Sequence, residues 1–398
     1  MEKQMKKCLS FFTAALFLTP LILMFSSCTD PVFYTISREV APIDPRIKGA
    51  PTNFVIFDGR MYTASGVTLF SYNEEEGWNK SHNPGGNILQ LAVTNDYLYA
   101  LCNRDDVEVN TVIKRYDKSE WIDLGTDLVM ESSVTGRLQS IYAAGGKLFG
   151  CVEYYSIYDS FFNVIYVDEE VDPSIAIKNL FEISEDSEKK FIFGEVKGAA
   201  SNGASYYICT NDRGIIKTED PSLGAVYLSG GEGYLFTGII SLETDVNTIV
   251  AITRAGLVFT VGDETAIFGN LSMGTRMSTG ALAIWRDEDG VPKLLLVGRQ
   301  DILEYTTSSG FTYGYMELSL DSNGINADQY VEPGRTYPSS ILDGDNEQYK
   351  STIGKYPVNH LFQAPIGIDS KRTLFASTQK SGVFSYRDRN PWQWNAEE

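Results

Sequence analysis

Polar and apolar positions alternate along most of this chain in short bursts, and the bursts come in sets. Each set opens with turn-forming Asn, Asp or Gly and runs into a few residues rich in aromatic and branched side chains. "DGRMYTAS" from Asp58, "NDYLYALC" from Asn95 and "GGKLFGCV" from Gly145 are the first three. "NGASYYICT", "TDVNTIVAIT", "DGVPKLLLVG" and "DSKRTLFAST" continue the series from Asn202, Thr244, Asp289 and Asp369. Asn, Asp and Gly tolerate the positive φ that tight hairpin turns require, and the runs that follow have the composition of strands. No long stretch carries the helical period of 3.6.

The large residue of each run falls at Tyr62, Tyr99, Phe149, Tyr207, Val250, Leu295 and Phe375, in steps of 37, 50, 58, 43, 45 and 80 residues. An apolar segment precedes every turn, as in "NFVIF", "ILQLAVT" and "LQSIYAA". A third follows each run, among them "VTLFSYN", "TVIKRYD", "GIIKTED" and, in the sixth copy, "DILEYTT". A fourth closes most copies, with Trp78, Trp121 and Trp392 in the same place. Four strands per repeat at a spacing of about 40–50 residues is the anatomy of propeller blades. The chain is therefore expected to be all-β: a seven-bladed β-propeller of four-stranded antiparallel blades over residues 51–398. A pair of β-sandwiches is the rival arrangement. The last, long step holds an insertion from about Asp321 to Pro357, rich in Gly, Asn, Asp, Tyr and Pro. It is read as a long loop in preference to an eighth, degraded blade. Val32–Glu39 ("VFYTISRE") reads as one more strand, either closing the ring as an edge strand or serving as tether.

This pattern resembles the broad kelch-like, BNR-like and regulator-type propellers. It lacks an S-x-D-x-G-x-T-W box, a WD dipeptide and a PQQ-type motif, so the resemblance implies an architecture and leaves function to be argued from sites.

The N-terminus has a different texture. Lys3, Lys6 and Lys7 precede the uncharged run "LSFFTAALFLTPLILMF", and "SSC" follows at once. A positive region, an apolar core and small residues make a secretory signal. At 17 residues, with Pro20 inside it, the run is short for a membrane span, although an uncleaved anchor is the alternative. The ending resembles a bacterial lipoprotein signal. That resemblance implies that residues 1–27 are removed, that Cys28 becomes the lipidated first residue, and that residues 28–50 form a tether. It also implies a place in the bacterial cell envelope, with Thr29 in the position that bears on sorting to the outer membrane. Acyl chains contribute about 0.8 kcal/mol of membrane affinity per buried methylene.

Composition narrows the partners. A net charge of −19 repels phosphate backbones, which excludes nucleic acid. Cys8 leaves with the signal and Cys28 carries lipid. Cys102, Cys151 and Cys209 remain, an odd number without CxxC spacing, and read as buried packing residues rather than a disulfide framework or zinc site. With His82 and His360 as the whole complement of histidine, no multi-His metal centre can form. "DSNGINAD" and "DGDNE" miss EF-hand spacing, and no G-x-S-x-G, H-E-x-x-H or phosphate-binding glycine loop occurs. No metal, cofactor or catalytic residue is assigned.

Two sets of residues remain as candidate sites. Long segments rich in tyrosine, with Tyr154, Tyr155 and Tyr158 in "EYYSIYDSFF" and Tyr330 and Tyr337 in the insertion, suit protein recognition. Asn103, Asn211, Arg254, Arg299 and Gln379 each follow a second strand. They should ring one rim of the disc near the channel mouth, where the arginines could hold a carboxylate or phosphate. The expected function is a membrane-tethered scaffold that acts as a monomer and binds a protein partner through that rim. A glycan-binding or glycoside-acting propeller, its site at the channel mouth, is the alternative.

Overall fold

The computed structural model describes residues 46–103, 111–125, 135–155, 160–183, 190–211, 213–243, 248–272, 277–299, 314–322, 324–325, 353, 356–386 and 394–397. The chain divides into two units, Met1–Ile43 and Asp44–Glu398, and every described residue belongs to the second. Val32–Glu39 and Cys28 lie outside the described residues.

The second unit is a seven-bladed propeller. Its blades occupy residues 55–80, 87–123, 135–179, 195–228, 236–272, 277–325 and 358–396, each a four-stranded antiparallel meander with its strands in sequence order. That order excludes paired sandwiches and settles the blade count at seven. The second strand carries the logic of the whole. In Leu98–Asn103, the side chains of Leu98, Ala100 and Cys102 pack with blade 1, while Tyr99 and Leu101 pack with blade 3. Alternation thus survives, but both faces are buried, and so the phrase reads as an apolar run. Seven such cores form among the described residues, one per pair of neighbouring blades. The seventh joins Met61, Phe70 and Trp78 of blade 1 to Phe375 and Val383 of blade 7, which closes the circle. Each fully buried Leu or Phe contributes about 1.5–3 kcal/mol.

Turns follow local chemistry. Asp58–Gly59 and Gly145–Gly146 have positive φ at both positions, the two-residue hairpin turn expected of them. In blade 4 the turn is longer, with Asn202 N–H donating to Ser205 O at 3.3 Å.

The first strands stand around the axis, and amide or hydroxyl side chains bridge them. Asn53 Nδ2 donates to Leu91 O at 2.7 Å while Leu91 N–H donates to Asn53 Oδ1 at 2.9 Å. Gln90 Oε1 accepts Ile141 N–H, Ser140 Oγ donates to Val196 O, and Gln363 pairs with both backbone groups of Arg286. These bridges satisfy backbone groups that no sheet ladder reaches. Cys102, Cys151 and Cys209 are buried free thiols. Burial pushes Cys102 up to about 12 and Cys151 up to about 11, and raises Cys209 as well, so all three are packing residues.

Strand assignments in two blades differ from the sequence reading. In blade 6 the third strand is Tyr315–Asp321, with Gly324–Ile325 as the fourth; "DILEYTT" lies outside the described residues. Tyr315, Met316, Leu318 and Leu320 all find the core. In blade 3 the fourth strand is Ile177–Asn179, whereas the sequence reading takes the following "LFEIS" for that strand; its Phe181–Glu182 leaves the blade to form a separate hairpin.

Candidate functional site

Loops between second and third strands, and connections between blades, open on the same face of the disc. That face is unequal around its circumference. The connection from blade 3 to blade 4 carries its own two-stranded hairpin, Phe181–Glu182 with Lys190–Phe191. Alternation in "KKFIFGE" explains its seat. Ile192 is fully buried in the core shared by blades 3 and 4, while Phe191 and Phe193 face the other way and stay partly or largely exposed. Gly194, at φ 148°, ends the segment against Thr210, whose side chain would lie 2.7 Å from any Cβ placed there. Only glycine fits that approach.

The hairpin adds aromatic surface. Phe181 and Phe191 lie 5.3 Å apart between ring centroids, Phe161 and Phe193 meet edge to face at 6.0 Å, and Tyr154 packs on Phe161 at 5.3 Å. Tyr227, on the outermost strand of blade 4, reaches across: its hydroxyl accepts Phe193 N–H at 2.8 Å and donates to Phe193 O at 3.0 Å. Between hairpin and blade 4 runs an open groove of about 810 Å³. One wall is Glu182, Lys190, Phe191 and Phe193; the other is Arg213, Tyr227 and the Glu232–Gly233 turn. Glu232 is turned onto its own loop, where its carboxylate accepts Gly230 N–H at 2.9 Å. Apolar walls with a few charges at the margins suit a peptide better than a small polar ligand.

The residues singled out in the sequence are placed as follows. Asn103 pairs with Asn87 and Thr111 at the end of its strand. Asn211 donates to Glu195 Oε2 at 3.2 Å, and Lys197 holds the same carboxylate at 2.6 Å. Arg254 is exposed, with its N–H on Leu235 O at 2.7 Å. Arg299 ends its strand opposite Met277, and exposed Gln379 donates its N–H to Pro357 O at 3.0 Å. All five mark the ends of second strands in five different blades. Their backbone positions are therefore spread around the ring, one per blade.

The tyrosines divide. Tyr154 is not a loop residue: it is 2% exposed within the second strand of blade 3. Cross-strand packing on Phe161 prolongs the hairpin, so the connection shrinks to residues 156–159. Tyr155 is exposed, and its hydroxyl donates to Glu153, which also accepts from Gln139. Tyr158, Tyr330 and Tyr337 lie outside the described residues. Sequence reasoning passed over Lys190, Phe191, Phe193, Arg213 and Tyr227. The visible signal was the alternation of "KKFIFGE", which fits no position in the four-strand repeat.

No protein-family profile matches the chain, and no curated protein matches it at a significant level. Among solved structures, a chain in "Crystal Structure of Mitotic Checkpoint Complex" aligns with TM-score 0.51 and 11% identity, over 87% of this chain and 95% of that one. "YCF48 bound to D1 peptide" aligns at TM-score 0.47 and 11% identity, over 87% and 94%. "YCF48 from Cyanidioschyzon merolae" aligns at 0.47 and 9%, over 86% and 96%. The likeness is one of fold. At these identities it carries no activity, ligand or partner to this chain.

Proposed function

We propose that the propeller is a protein-binding module, held at a bacterial cell envelope by lipid on Cys28. The observation that carries the binding part is the groove between blades 3 and 4, an aromatic concavity built by an added hairpin that blade closure does not require. The envelope part rests on the sequence of residues 1–28 and is independent of the groove. A disc held through a lipidated cysteine presents a rigid face to partners at the membrane, where tethering raises their effective concentration.

The two parts are tested separately. A photo-crosslinking amino acid at position 193, in cells of the source organism, is expected to give a discrete protein adduct that the same probe at Asp117, on the opposite face, does not give. No adduct at 193, or the same adducts at both positions, overturns the binding reading. Cys28→Ser is expected to move the protein from the detergent to the aqueous phase on phase partition and to abolish labelled-palmitate incorporation. Partition and labelling unchanged by that substitution overturn the lipid anchor.

A further inference from the structure

The groove contains a strand edge. Lys190–Phe191 continues through Ile192 to Gly194, and Ile192 turns both its backbone groups to one side: its N–H donates to Leu180 O at 3.2 Å, and its C=O accepts Val164 N–H at 2.9 Å. Backbone groups of successive residues in a strand point opposite ways. The N–H and C=O of Phe191 and Phe193 therefore face the other side. At Phe193 the Tyr227 hydroxyl satisfies both groups with a single oxygen, making the two bonds that a residue of a neighbouring strand would make. Two residues earlier Phe191 presents the same pair of groups along the same edge.

Charge selects what could lie there. The protein is strongly acidic overall, at −19, yet Lys190 and Arg213 stand on opposite walls of the groove, and neither has an ion-pair partner among the described residues. Glu232 is engaged by its own turn, so among the described lining residues Glu182 is the carboxylate left to oppose them.

We propose that this edge receives an extended segment of a partner protein, added as a strand beside Phe191, with alternate apolar side chains against Phe191, Phe193 and the Tyr227 ring and a carboxylate between Lys190 and Arg213. The proposal rests on the protein-binding reading and specifies its mode. Main-chain pairing supplies the affinity, and the aromatic wall with the two cations supplies selection. A second copy of this chain is the competing occupant.

The test uses the full-length chain in detergent micelles and a displayed library of 12-residue peptides. Enriched peptides are expected to combine alternating apolar residues with Asp or Glu. Their affinity should fall at least tenfold in Lys190→Glu/Arg213→Glu, two exposed positions at which thermal stability should hold. N-methylation of single peptide amides should weaken binding at every second position, the signature of strand pairing. Enriched peptides indifferent to the double substitution and to the methylation register overturn this inference and leave a protein-binding face elsewhere on the disc. An adduct at position 193 without any enriched peptide also overturns strand addition but keeps the binding face at the groove, because the partner surface is then folded. Concentration-dependent dimerisation abolished by the double substitution assigns the edge to a second copy and also overturns it. Absence of both the adduct and any enriched peptide overturns the protein-binding reading itself.

Discussion

The seam between blades 7 and 1 and the seam between blades 3 and 4 are made from the same four-stranded units, and they are finished differently. At the first, the segments that open and close the ring are knitted in. Ile47 O and Gly49 O accept N–H groups of Val383 and Gly382, while Glu397 N–H donates to Val383 O at 3.0 Å. The Glu397 carboxylate, 5% exposed, accepts Trp78 Nε1 at 3.1 Å from blade 1 and the Ser385 hydroxyl from blade 7. Trp78, Tyr72 and Phe375 pack ring against ring at 5.1–5.8 Å, and Tyr72 OH donates to buried Asp369 at 2.8 Å. At the second seam the core beneath is just as buried, but the connection above it splays into a hairpin and leaves a groove. A covalently discontinuous seam must be held by side chains. A continuous one is already joined by the backbone and can spend its surface on recognition.

The largest effect that separates the two should come from Trp78→Ala. The side chain is fully buried, and its loss opens a cavity against Phe375 and Tyr72 while leaving the Glu397 carboxylate short of a donor. A cost of about 3–5 kcal/mol is expected. Denaturant midpoints measure it, with Phe193→Ala as the counterpart at the other seam. Equal losses at both would show that the closing seam bears no special share of stability.

Blade 7 supplies a second contrast, in pH. His360 lies on its first strand, with Nδ1–H donating to Gly280 O of blade 6 at 3.3 Å, and burial holds the imidazole down at about 4. A base lowered in the folded state must be neutral there. Its contribution is complete above the unfolded value of about 6.5 and is lost as pH falls through about 4. Partial exposure of the ring limits the loss to about 2 kcal/mol. His360→Gln keeps a donor for Gly280 and should flatten the stability profile between those values. A slope unchanged in the variant would assign acid sensitivity to carboxylates instead.

What the sequence made legible follows from the same contrast. Second strands buried on both faces recur as apolar phrases, so blade count and order could be read from Tyr62, Tyr99, Phe149 and their successors. Blade 6 misled because its second and third strands are separated by residues 300–314, and the nearest apolar phrase, "DILEYTT", was taken for the strand that Tyr315–Asp321 forms. Asn103, Asn211, Arg254, Arg299 and Gln379 could be assigned to the ends of second strands, since strand ends are fixed by the repeat. Their separation around the circle was implicit in having one per blade. The groove was missed because a connection between blades follows no template: Phe191 and Phe193 alternate like a strand, yet only the fold shows that Tyr227 stands opposite them.

The smallest effect on stability, and the sharpest test of the open seam, is Tyr227→Phe. It removes one oxygen that serves Phe193 N–H and Phe193 O together. Deleting a partner of a buried group costs about 1–3 kcal/mol, but Phe193 is 39% exposed and lines a groove where water can take both vacated bonds. The expected cost is therefore below about 1 kcal/mol. Locally the change should be large. Hydrogen exchange at the Phe193 amide is expected to speed at least tenfold, while amides of Val164 and Ile192, paired on the closed side, keep their rates. Uniform acceleration across blades 3 and 4 would mean that Tyr227 clamps the seam itself, and the edge would then be structural rather than open to a partner. Acceleration confined to Phe193 would show that the hydroxyl occupies a strand position without holding the blades together, which is the condition an incoming strand requires.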